Sequence, residues 1–228
     1  MTFFKKLTPN ETVFGFLYFI LQLIIIPSIV MTVIMMLPDG FSITILNFVY
    51  FSVNFVAVLI IFRKFLVANF KSLLAYPWHT LRCAAIGLLI YIAGSTLFSL
   101  VVTFLVPDFA NVNDAAIWEM VQKHYTLMSI ATVFLAPIAE ECFYRGLFFR
   151  NLYDRHPFLA YLVSIVAFSL AHVLGYVGME SFGTLALCFI QYLPAGFALA
   201  WCYRRSGSIF APVLIHMVIN QAGMLMMR

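Results

Sequence analysis

Three short stretches hold the residues that can do chemistry. APIAEECFYRGLFFR (residues 136–150) contains Glu140, Glu141 and Arg145; FSLAH (residues 168–172) runs from Phe168 to His172; HMVIN (residues 216–220) runs from His216 to Asn220. A carboxylate can take a proton from water, an imidazole can take or return one, and imidazole and amide N–H groups can donate to a developing oxyanion. Together these are the parts needed to hydrolyse an amide with activated water. Spacing separates the two glutamates. Residues four apart share a helix face, so Glu141 and Arg145 can neutralise each other, while Glu140 is turned about 100° away and is poorly spaced for Arg145. One carboxylate is paired and one is left over.

The elements that must carry these groups are membrane spans. The chain has 228 residues, of which 64% are hydrophobic and 10% charged, and its mean hydropathy is +1.02. That composition excludes an ordinary soluble domain. A helix crosses the hydrocarbon layer in about 20 residues, and seven stretches are long and apolar enough: Thr12–Leu37, Phe41–Phe62, Cys83–Val106, about Tyr125–Arg150, Phe158–Met179, Ser181–Tyr203 and Ser206–Met227. The expected fold is therefore all-α, a polytopic transmembrane helical bundle of about seven spans. It forms a single integral membrane domain over residues 1–228, with its motif-bearing core at about 125–227.

Charge placement orients the bundle. Lys5, Lys6, Arg63, Lys64, Lys71, Arg82, Arg150, Arg155, Arg204 and Arg205 fall at alternate connections, and the others carry Asp39, Asp108, Asp114, Glu119 and Glu180, with Lys123 the only internal base among them. The positive-inside rule then makes the N-terminus cytoplasmic in a multi-pass protein of the cell membrane. The net charge of +4 is a topology signal, and no nucleic-acid partner is expected from it. The first apolar run is too long for a signal-peptide core and is expected to stay as an uncleaved span. Cys83, Cys142, Cys188 and Cys202 form no CxxC pair and are expected as small packing residues.

Depth tests whether the polar residues can meet. Glu140 precedes Arg150 by ten residues, about 15 Å of helix, which places it near mid-membrane and weakens the competing reading of a hydrated helix end. A lone charge at that depth is costly unless it faces a polar interior. Pro137 removes a backbone hydrogen bond just before it and can kink the helix. Counting from Ile209, His216 lies about 10 Å and Asn220 about 16 Å along the last helix. His172 comes out about 22 Å from Pro157, deeper than the rest, so the fifth helix must begin later or tilt. Gln191 and Pro194 are expected to serve helix packing, Gly175 and Gly178 a turn, and His79, His124 and His156 solvated connections. Either histidine of the set, taken alone, would ordinarily be structural; three helices each presenting an inward polar group are less easily explained that way.

EECFYR, FSLAH and HMVIN match the EExxxR, FxxxH and HxxxN motifs, in order, of the CPBP family of intramembrane proteases, which includes the CAAX prenyl endopeptidases and bacterial proteins linked to bacteriocin processing and self-immunity. The resemblance covers residues 140–220. It implies that Glu140 and His172 activate water, that His216 and Asn220 form the oxyanion hole, and that Glu141, Arg145 and Phe168 support the site. The substrate it implies is a peptide or protein at the membrane, prenylated or leader-bearing, and membrane lipids are the other partners. No metal or cofactor is expected; the alternative is zinc held by Glu140, His172 and His216 with one open position. A non-proteolytic immunity, scaffold or solute-binding protein built on the same polar core is the rival reading. Oligomeric state is open.

Overall fold

The computed structural model describes residues 4–36 and 42–228. Among these the chain is a bundle of helices with no strand. Five are long and apolar enough to cross a membrane: α1 (Pro9–Met36), α2 (Ile43–Ile61), α4 (Pro77–Leu105), α5 (Val112–Tyr153) and α7 (Phe182–Ser206). Two shorter apolar helices are α6 (Pro157–Ala171) and α8 (Phe210–Met226), and α3 (Arg63–Ala75) follows α2 directly. Outward side chains such as Leu89, Leu97, Leu100 and Phe104 of α4 are exposed, as they should be where the surrounding solvent is lipid.

Among the described residues, seven apolar helices fall on the seven expected stretches with shifted ends, five of them long enough to span. Asp39 and the neighbouring Pro38 and Gly40 lie outside the described residues. Helix α4 begins at Pro77 instead of Cys83, so His79 lies in a helix and not in a connection. Helix α5 runs from Val112 but is kinked at His124, whose φ of −147° and ψ of 70° are non-helical, immediately before the expected start at Tyr125. Helix α6 starts at Pro157 and stops at Ala171, whereas the apolar run reads through to Met179. His172 is therefore the C-cap of α6, not a residue inside a span. A short 3-10 turn (Leu174–Tyr176) follows, and Gly178 takes a φ of 87°, a left-handed conformation that glycine adopts without a Cβ penalty.

Helix α3 is the basic connection the sequence predicts between α2 and α4, and it also acts as a clamp. Thr8 and Glu11 cap α1 reciprocally, the Thr8 N–H donating to Glu11 Oε2 at 2.8 Å. The other oxygen, Glu11 Oε1, accepts the Phe65 N–H of α3 at 2.8 Å. One buried carboxylate thus satisfies the first turns of two helices, where unpaired N–H groups and the positive end of the helix dipole favour it. Further along α3, Asn69 Oδ1 accepts the Ile209 N–H at 2.9 Å, and Ser208 donates to the Asn69 carbonyl at 3.3 Å. Helix α3 so fixes where α8 begins, and with it the depth of His216 and Asn220.

The core centres on the second half of α5. Phe62, Phe65, Phe143 and Leu147 pack in one buried cluster; Tyr144, Phe168, Leu199 and Ile215 pack in another. Helix α6 lies on residues 142–149, and α8 lies on residues 130–141. Gly196 of α7 makes the α6–α7 approach possible, since a Cβ there would stand 3.3 Å from the Ile165 backbone.

Candidate active site

The glutamates sit between two wide-turn segments of α5, Ile130–Leu135 and Cys142–Phe149, both π-helical. Such turns shift the face a side chain presents and are common at functional sites. Glu141 and Arg145 are fully buried, and Arg145 Nη1 donates to Glu141 Oε1 at 3.0 Å. The same oxygen accepts His216 Nδ1–H at 3.0 Å. Arg145 Nη2 donates to the Gly196 carbonyl at 3.0 Å, and the guanidinium lies 4.8 Å from the Phe168 ring centroid, an attractive cation–π distance. Glu141 is thus held by α5 and α8 together, more than the i, i+4 pairing alone implies.

Glu140 is treated differently. Its side chain is 27% exposed, and Oε2 lies 3.9 Å from His216 Nε2. That oxygen is buried and has no hydrogen-bond partner among the described residues. Buried carboxylate oxygens are normally satisfied. Glu141 Oε2 is unpartnered as well, and what sets Glu140 apart is its partial exposure, where Glu141 is fully buried with two donors on its other oxygen. The expected division into one paired and one free carboxylate is present, and His216 stands between the two.

Phe168 joins the two histidines. Its ring is 4.6 Å from the His172 ring and 5.7 Å from the His216 ring. His172 Nδ1–H donates to the Phe168 carbonyl at 2.8 Å; because a carbonyl can only accept, this assigns the proton to Nδ1 and leaves Nε2 as the free nitrogen of the neutral ring. Glu140 and His216 both lie within electrostatic reach of His172. Helix α6 does begin at Pro157, so a later start is not what brings His172 to the other groups; His172 is the C-cap at its far end.

Asn220 has a partner that the motif did not reveal. Its Nδ2 donates to the Thr132 carbonyl at 2.7 Å. In the wide register of residues 130–135 the Ala136 N–H bonds to Ala131 O, and the next N–H in line would be that of residue 137. Residue 137 is proline and has none. Pro137 therefore orphans the Thr132 carbonyl, Asn220 satisfies it with one amide hydrogen, and the second amide hydrogen remains available. The expected loosening at Pro137 is present, and it orients the asparagine.

Two further polar clusters lie outside the motifs. Tyr192 stacks on His172 with ring centroids 4.2 Å apart and an interplanar angle of 26°, and its neighbour Gln191 accepts from Asn111 at 2.8 Å; Gln191 is a partner for α5 and not only a packing residue. On α1 and α2, Tyr18 donates to Asn54 Oδ1 at 2.7 Å and Tyr50 to Gln22 Oε1 at 3.0 Å, with α2 packed against the segment that carries Glu140. None of these belongs to a motif; polar residues inside apolar runs were the available signal.

Zinc needs three or four donors converging at about 2.0–2.3 Å from one point. Among the described residues no three His, Cys, Asp or Glu side chains are grouped in that way. The side chains as they stand do not fit the ion, and no step below runs through a metal.

Comparison with known proteins bears on the same segment. Residues 122–222 match the model of a family described as type II CAAX prenyl endopeptidase, Rce1-like. The chain is 30% identical over 109 residues to "Putative membrane peptidase YdiL" of Bacillus subtilis (strain 168), covering 47% of this chain and 40% of that protein. It is 30% identical over 87 residues to "UPF0177 protein YbdI" of Lactococcus lactis subsp. lactis (strain IL1403), covering 38% of this chain and 41% of that one. The matched stretches thus span about two fifths of these relatives' lengths. No solved structure matches the chain. The segment that carries both glutamates, both histidines and Asn220, residues 122–222, is thus the part of the chain that is similar to the Rce1-like family of CAAX-type membrane proteases.

Proposed function

We propose that the protein is an intramembrane endopeptidase in which Glu140 activates water for attack on a peptide bond of a membrane-associated peptide or protein. The observation that carries this reading is the contrast between two adjacent glutamates. Glu141 is fully buried and holds the Arg145 and His216 donors on Oε1, its Oε2 being unpartnered, while Glu140 is 27% exposed and its unpartnered Oε2 lies 3.9 Å from His216 Nε2.

The placement of His216 supports it. Its ring lies between the two carboxylates, 3.0 Å from Glu141 Oε1 and 3.9 Å from Glu140 Oε2. Nδ1–H then donates to Glu141 and Nε2–H points toward Glu140. A water placed beside Glu140 gives it a proton as its oxygen attacks the scissile carbonyl carbon. The carbonyl oxygen takes the electron pair, and His216 Nε2–H and the second Asn220 N–H donate to it. The C–N bond then breaks, and the proton held by Glu140 passes to the departing amine. His172, with its free Nε2, assists Glu140 in holding the water. A positioned base contributes about 10²–10⁴-fold and each oxyanion donor about 10²–10³-fold.

The family points to a substrate with a prenylated C-terminus, and a leader-bearing peptide is the alternative. The site is read as opening toward the cytoplasmic leaflet of the cell membrane. The test is incubation of purified protein in detergent with a library of prenylated and unmodified peptides, read by mass spectrometry beside Glu140→Ala. Cleavage by the wild type and none by the variant is expected. The same products from both proteins, or none from either, would contradict the proposal.

A further inference from the structure

His172 occupies an exposed position in the logic of the fold. It is the first residue past α6, so it lacks the following helical turn that restrains side chains elsewhere in the site. One edge of its ring is tied to the Phe168 carbonyl at 2.8 Å, but a single hydrogen bond leaves the ring free to swing about that edge. The faces must be held by something else. Phe168 meets it at 4.6 Å with the rings tilted by 53°. Tyr192 meets it at 4.2 Å with the rings nearly parallel, at 26°.

The Tyr192 ring is itself anchored at its far end. Its hydroxyl accepts from Asn113 Nδ2 at 3.0 Å and donates to Asp114 Oδ1 at 3.2 Å. The adjacent Gln191 accepts from Asn111 Nδ2 at 2.8 Å. Asn111 is also the N-cap of α5, its Oδ1 accepting the Asn113 and Asp114 N–H groups at 2.9 and 3.2 Å. The turn that starts α5 and the clamp on α7 are therefore one structure. A side chain needed only for packing would not call for a phenol with a donor and an acceptor arranged around it, since a buried hydroxyl must be satisfied and leucine carries no such requirement.

We propose that Tyr192, held by Asn113 and Asp114 at the first turn of α5, is the positioning residue of His172. The inference rests on the role given to His172 under the proposed function. It extends the site beyond the matched motifs, because residues 111–114 lie upstream of the family match. The start of α5 fixes Tyr192, Tyr192 fixes the face of His172, and the Phe168 carbonyl fixes its edge, so that Nε2 is the nitrogen presented to the reacting groups. Small misplacements of such a group cost large factors in rate.

The test compares wild type, Tyr192→Phe and Tyr192→Leu, purified in detergent, by two readouts. The first is kcat and KM on a cleavable peptide. The second is the rate at which diethyl pyrocarbonate modifies His172, followed by peptide mass spectrometry, which needs no catalysis. Tyr192→Leu removes the stacked face, and kcat is expected to fall by about tenfold or more with KM little changed. Tyr192→Phe keeps the face but loses the anchor and should recover most, not all, of that loss. His172 modification should rise in the same order, fastest in Tyr192→Leu. A folded Tyr192→Leu protein with wild-type kcat and wild-type labelling would overturn the proposal. If Tyr192→Leu does not fold, Tyr192→Phe decides: slightly lowered kcat with faster labelling supports it, and no change in either removes it. Should the wild type cleave no peptide, the peptidase reading fails on its own terms, and the labelling rates still decide the role of Tyr192.

Discussion

Two carboxylates that are neighbours in sequence have unlike surroundings, and the difference comes from spacing. Glu141 lies four residues before Arg145 and one contact from His216, and all three are buried. Glu141→Gln would leave Arg145 without its charge partner, and breaking a buried pair in this way costs about 3–5 kcal/mol. A clear drop in melting temperature in detergent is expected, together with a loss of peptidase activity because His216 loses its Nδ1 anchor. Wild-type melting for Glu141→Gln would argue against both roles. The zinc alternative is decided at the same scale. If Glu140 acts as a base, purified protein should carry well under one zinc per chain and keep its activity after dialysis against a chelator. Stoichiometric zinc, with activity lost on chelation and restored by zinc alone, would recast Glu140 as a ligand.

At the scale of elements, the pairs legible in the sequence were those within one helix. Glu141 with Arg145 and Phe168 with His172 follow from a four-residue spacing, and both contacts are present. What spacing could not show was the register of α5, where two wide turns and Pro137 decide which carbonyl is orphaned, or the partner from α8 that satisfies it. Nor could hydropathy reveal α3, whose alternation of Lys with Phe and Leu reads as a basic connection until Glu11 and Asn69 are seen to cap two other helices with it. The end of α6 was missed because the apolar run continues past it. Helix α3 carries a prediction of its own. Asn69→Ala removes the cap on the first turn of α8 and leaves the buried Ile209 N–H unpaired, a loss of about 1–3 kcal/mol. Asn69→Asp keeps the acceptor and should melt closer to wild type than Asn69→Ala; equal melting of all three would mean that α3 does not hold α8.

For the whole molecule, the bundle is a membrane protein in which α5 is the axis and α6, α7 and α8 bring His172, Tyr192, His216 and Asn220 to it. The proposed orientation, with the N-terminus cytoplasmic, rests on the basic connections. Lys6 and Arg150 both pair with Asp154, which gathers the N-terminal segment and the end of α5 on one side. The ion pairs with Arg150 and Lys6 hold the Asp154 carboxyl below its ordinary value. The stability they add is present above the unfolded carboxylate range and is lost as pH falls through the lowered value, and it is small because the side chain is 43% exposed. Single cysteines placed at positions 180 and 205 test the orientation: in intact cells position 180 should react with an impermeant reagent and position 205 should not. Reaction of both from the same side would remove the proposed topology. The most direct test of the central claim is the steady-state rate of Glu140→Gln on a peptide that the wild type cleaves. The amide keeps the shape of the side chain but cannot take a proton, so kcat should fall by about a hundredfold or more while the melting temperature stays near that of the wild type. A folded Glu140→Gln protein that cleaves at a near-normal rate would contradict the account.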